Sequence, residues 1–104
     1  MEGANNFARA VRRYPDYYDA YVNLGACYVV LGDANPQYFP LAFGAYNAAM
    51  KRFPRRAQLY VLLGDAYARS GDQNLARQKY VEAYNIEKLP EIRERLRQYN
   101  VPVE

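Results

Sequence analysis

The sequence predicts an all-α protein, an antiparallel solenoid of about six helices packed in pairs. Two observations lead to this. The stretch Tyr60-Val61-Leu62-Leu63-Gly64-Asp65-Ala66-Tyr67 has a near-copy in Tyr21-Val22-Asn23-Leu24-Gly25-Ala26-Cys27-Tyr28, and each reads aromatic, two residues, Leu-Gly, two residues, Tyr. Around the copies, apolar and small residues recur three and four positions apart, the spacing that lines one helix face, and Pro and Gly interrupt at helix-sized intervals. A lone helix pair cannot bury its apolar face, so repeated pairs stack on their neighbours.

The first helix is expected from Glu2 to Tyr14, with Phe7, Ala10, Val11 and Tyr14 on one face. Pro15 ends it, because proline pushes the preceding residue out of the helical region. Asp16 is the expected N-cap of a second helix running to about Leu31, with Asp19 in its first turn. Tyr21, Leu24, Gly25 and Tyr28 form its packing face. Mid-helix Gly25 costs about 1 kcal/mol relative to Ala, which a helix tolerates where a neighbour must come close. Gly32 suits the left-handed position after a helix end. Asp33 to Pro40, with two prolines and an Asn-Pro pair, reads as a loop. Pro40 opens a third helix to Phe53, with Ala42, Tyr46 and Ala49 inward, and Pro54 closes it. A fourth helix follows from Arg55 to Ser70, with Gly71 as its stop. Asp72 or Asn74 caps a fifth, to about Glu87, with Ala76, Tyr80 and Ala83 inward. Pro90 opens a sixth, to Tyr99, with Glu91 in its first turn and Arg95 and Arg97 in its last. Ile92, Leu96 and Tyr99 make a single apolar stripe suited to covering an exposed end. Asn100 to Glu104 is expected to fray.

The order Tyr21, Leu24, Gly25, Tyr28, Ala42, Tyr46, Ala49, Pro54 returns as Tyr60, Leu63, Gly64, Tyr67, Ala76, Tyr80, Ala83. This order resembles the tetratricopeptide repeat family, with Tyr where the usual pattern has Trp. The resemblance spans Phe7 to Pro90 and implies a right-handed superhelix. It divides a single domain, 1–104, into a half repeat 2–15, a repeat 16–54 with an insertion at 33–40, a repeat 55–89, and a C-terminal capping helix 90–99. Two departures stand out. Tyr21 and Tyr60 lie 39 positions apart, against about 34 in the family. Lys88 takes the place of the closing proline, and Pro90 comes two residues later.

The resemblance implies a scaffold or adaptor that binds a protein or peptide partner in a concave groove lined by the first helix of each repeat. Carried over by helical spacing, the groove residues are Asp19, Val22, Ala26, Val29 and Val30, then Gln58, Val61, Asp65, Ala68 and Arg69, with Arg95 from the last helix. Some family members grip a terminal carboxylate there with Lys and Asn pairs. Val22, Val61, Ala26 and Asp65 stand at those places instead, so an extended or helical segment with apolar side chains is the expected partner. The plainer alternative is a solvated face, or a groove filled by another copy. About three repeats are usually needed for stability, and the first helix reads as the second member of a pair. A self-assembling homo-oligomer, stacked end to end through that open side, is therefore the alternative function. An accessory domain of a larger complex is the third.

The chain has twelve Tyr and no Trp. Tyr21, Tyr28, Tyr46, Tyr60, Tyr67 and Tyr80 fall at packing positions. Tyr17 and Tyr18 at the first turn, and Tyr38 and Phe39 in the insertion, are candidate aromatic contact patches. The plainer expectation is that they pack their turns. Arg12-Arg13 and Lys51-Arg52 stand at helix ends, where they complement the helix dipole.

The remaining chemistry is excluded by composition. A net charge of +3 is too small for a nucleic-acid-binding face. There is no histidine, and the single cysteine, Cys27, sits at a small-residue position matched by Ala66, where it acts as a small hydrophobe. No catalytic group, metal site or cofactor is expected, and the chain reads as a non-enzyme. No apolar run approaches the roughly 20 residues of a membrane span. No charged-then-apolar leader follows Met1, so a cytoplasmic protein, or a piece of a longer one, is expected.

Overall fold

A computed structural model describes residues 2–14 and 16–103, Glu2 and Ala4 by backbone alone. Pro15, expected to end the first helix, lies outside the described residues, as does Glu104. The regular structure is six α-helices and one short 3-10 turn, with no strand among the described residues. The chain divides into two compact units, Met1–Pro54 and Arg55–Glu104.

The first unit contains α1 (Glu2–Arg13), α2 (Tyr18–Ala34), a 3-10 turn (Pro36–Tyr38) and α3 (Phe39–Arg52). The predicted stripe of α1 is used in part: Phe7 and Val11, together with Ala8, pack on buried Leu24 and Ala45, beside Cys27 and Tyr28, whereas Tyr14, expected on the same face, is exposed. Ala42, Ala45, Tyr46 and Ala49 form the buried face of α3. Gly25 makes room for Tyr46, whose Cε1 lies 2.2 Å from where a Cβ at position 25 would stand.

Three expectations for this unit are corrected. Asp16 does not cap α2, which starts at Tyr18 without a side-chain cap. Its carboxylate instead accepts from Arg52 Nη1 at 3.1 Å, an exposed pair of small energetic weight. Gly32 does not end α2, which continues to Ala34. Gly32 is buried under the Phe39 ring, whose Cδ1 comes within 2.7 Å of a hypothetical Cβ, so its missing side chain serves close approach and not a left-handed turn. The insertion is also shorter than a full loop. Asn35 accepts from Gln37 N–H at 3.2 Å to start the 3-10 turn, and α3 begins at Phe39 with Pro40 in its first turn.

The second unit contains α4 (Ala57–Ser70), α5 (Gln73–Ile86) and α6 (Pro90–Gln98). Ala57, Val61, Ala76, Tyr80, Ala83, Ile92 and Leu96 form its core. Gly71 takes the left-handed conformation (φ 96) expected of a helix stop. Its N–H reaches Ala68 O at 3.2 Å, and Asp72 N–H reaches Tyr67 O at 2.9 Å, the paired bonds of a Schellman motif. Of the two cap candidates Asp72 serves, accepting from Leu75 N–H at 3.1 Å. The expected fraying after α6 does not hold for Asn100–Val103. Asn100 is left-handed (φ 59), Val101 N–H bonds Leu96 O at 3.0 Å, and Val101 and Val103 lie against the core.

Candidate functional site

In the first unit, the groove residues carried by α2 follow a graded pattern. Asp19 and Ala26 are exposed, and Val22 and Val29 are half-buried. Val30 is 69% exposed. Ala26 and Val30 border a largely apolar cleft of about 380 Å3 between α1 and α2, with Gly3, Phe7, Asn23, Cys27 and Leu31 completing its wall. Spacing along one helix face does not reach these α1 residues, because it carries no information on the angle between two helices. The apolar stripe of α1 is the signal that pointed to Phe7.

In the second unit, Gln58 and Arg69 are exposed and Ala68 is half-buried. Val61 is a correction: at 7% exposure it belongs to the core and cannot line an open groove. α4 is covered by more than one neighbour, so more than one of its stripes is buried.

Asp65 and Arg95 are brought together. Arg95 Nε donates to Asp65 Oδ1 at 3.0 Å, and Nη2 donates to Oδ2 at 3.1 Å. This is the forked geometry in which a guanidinium matches a carboxylate. The Tyr80 hydroxyl also donates to Asp65 Oδ1, and the Arg95 guanidinium lies 5.9 Å from the Tyr80 ring centre. Burial, and then the Asp65 carboxylate beside it, hold the Tyr80 phenol well above the usual tyrosine range. The bond to Asp65 likewise raises Arg95 above its usual value. The acidic groove position of α4 is thus already neutralised from within the chain.

The aromatic candidates separate. Tyr17 is 52% and Tyr14 is 56% exposed, and Arg13 lies 5.6 Å from the Tyr14 ring centre. Tyr18 packs edge-on against Phe53 at 5.2 Å. Tyr38 is half-buried and stacks on Tyr28 at 6.4 Å. Phe39 is 5% exposed, so the contact-patch expectation is corrected for it: the space above Gly32 draws its ring into the core.

Among the described residues no three His, Cys, Asp or Glu side chains gather as a metal would need. No helix among them is long and apolar enough to cross a membrane.

A family model described as tetratricopeptide repeat matches residues 1–34 and 39–90. The gap between the two matches falls on the Asn35 cap and the 3-10 turn. The chain is also similar to the crystal structure of TTC0263, a thermophilic TPR protein in Thermus thermophilus. The TM-score is 0.80 at 29% identity, covering 89% of this chain and 51% of that one. The chain therefore spans about half the length of that relative. The comparison with curated proteins gives no match. Repeats of this kind generally mediate protein–protein interaction. Both helix pairs, the small residues that admit their tyrosines and the match over most of the length agree, and the chain belongs to the tetratricopeptide repeat family.

Proposed function

We propose that the chain is a protein-interaction scaffold, not an enzyme, whose α2 face holds an apolar segment of a protein partner. The observation that carries this reading is the exposed apolar strip of Ala26 and Val30 beside the α1–α2 cleft. An exposed apolar patch next to a cleft is the kind of surface that marks a binding site. It is held by two packed helices, so a partner would bind with little reordering. The proposed organisation is the half repeat 2–15, the repeats 16–54 and 55–89, and the cap 90–99, acting without nucleic acid or cofactor. Ala26→Arg and Val30→Arg should reduce partner capture from lysate while far-UV circular dichroism stays unchanged. Unchanged capture would move the site off α2, for example to the exposed Tyr14 and Tyr17.

The second reading is a subunit that stacks on another copy through the open side of α1. It is favoured by the same cleft, since Gly3 and Phe7 of α1 line it. Light scattering over a wide concentration range decides this reading. A strict monomer throughout would end it.

A further inference from the structure

Outside the α2 and α4 faces, the second unit holds a cavity with an unusual charge pattern. The end of α5, the connection to α6, α6 itself and the chain after it border a half-open cavity of about 620 Å3, within the roughly 300–1,000 Å3 of small-molecule sites. Its polar wall is Tyr84, Asn85, Lys88 and Arg93, and Val101 and Val103 contribute to its apolar side. The left-handed turn at Asn100 brings those valines back against the core.

Two cations border this cavity, and none of the described residues lining it is acidic. Arg93 Nε is buried without a hydrogen-bond partner among the described residues. The ammonium of Lys88 lies 6.0 Å from the Tyr84 ring centre. Two carboxylates on the same helices are engaged elsewhere, Glu82 with Lys79 and Gln78, and Glu94 with Arg97. A buried donor left unpaired is costly, and a guanidinium is matched best by a planar carboxylate.

We propose that this cavity binds a carboxylate carried on a short branched apolar stem, with Arg93 and Lys88 facing the carboxylate and Val101 and Val103 against the stem. The proposal is independent of the partner surface on α2. It would give the chain a second ligand site, on the side of the molecule built by α5 and α6.

The test uses the whole chain and isovalerate, with isovaleramide as its neutral twin, followed by amide shifts in NMR. Isovalerate should give saturable shifts at Val101 and Val103, with a Kd on the order of 1 mM for so small a ligand. Isovaleramide should give none. Arg93→Gln should weaken isovalerate binding at least about tenfold. Arg93→Lys, which keeps the charge and loses the fork, should weaken it by less, and circular dichroism of both variants reports the fold. N-acetylvaline presents the same carboxylate as a peptide end. If it binds more tightly than isovalerate, the site takes peptide termini; the reverse order assigns it to free acids, and either order upholds the carboxylate. Absent saturation, equal binding of isovaleramide, tighter binding of inorganic phosphate, or unchanged affinity in folded Arg93→Gln would each overturn the proposal.

Discussion

Gly25→Ala tests the packing of α2 on α3 most directly, because helix propensity and tertiary packing predict opposite signs. Propensity favours Ala over mid-helix Gly by about 1 kcal/mol. Packing opposes it. The new methyl carbon would stand 2.2 Å from Tyr46 Cε1 and 2.5 Å from Cζ, where carbon pairs prefer roughly 3.5–4.0 Å. The Tyr46 ring is 2% exposed, so it cannot swing into solvent, and α2 and α3 must separate or the ring must leave its rotamer. Overpacking of this kind costs up to about 3 kcal/mol. Set against the propensity gain, the net loss is about 2 kcal/mol, which lowers Tm by about 8–16 °C in a domain of this size. Gly44→Ala supplies the control within the same unit. Gly44 is exposed on α3 with nothing within 4 Å of its hypothetical Cβ, so propensity acts alone and Tm should rise by about 4–8 °C. Thermal unfolding followed by far-UV circular dichroism measures both. A Gly25→Ala protein that melts at or above the parent temperature would refute the close-approach role of this glycine.

Three further outcomes are expected. Asp65→Asn should cost about 1 kcal/mol in urea unfolding, since its pair with Arg95 is about a third exposed and therefore screened; Arg95→Ala should cost a similar amount, and the double variant less than their sum. Tyr80 has a folded-state pKa above its ordinary value of 10.0, so the unfolded chain loses this proton first as pH rises. Its contribution is complete below pH 10 and is lost above it, with a slope of at most about 1.4 kcal/mol per pH unit, and unfolding curves of Tyr80→Phe across that range should lack this component. Asp72→Ala removes the cap that accepts from Leu75 N–H and should lower stability by about 1 kcal/mol, read as a drop in the urea midpoint.

Much of the candidate surface was not legible from spacing. The period of a helix says which residues share a face, but not how many neighbours cover it. Val61 shares a face with groove positions, yet Ile92 and Leu96 of α6 belong to the same buried cluster. Asp65 and Arg95 were both named, but their bond joins residues 30 positions apart, beyond any local rule. The cavity bordered by Lys88 and Arg93 was missed for the same reason, since its apolar side includes a chain end expected to fray.

What the sequence determined by itself is the local and periodic part of the fold. The recurring Tyr, Leu-Gly and Ala positions specify one buried face on each of α2, α3, α4 and α5. Gly71 and Asp72 end one helix and begin the next through bonds that span only a few residues. Tertiary structure decided what depends on a neighbour's shape. Gly32 carries the same residue type as Gly71 but lies inside a helix, because the Phe39 ring needs its missing side chain. Left-handed freedom and close approach are two uses of one absent Cβ, and only the packed partner determines which applies.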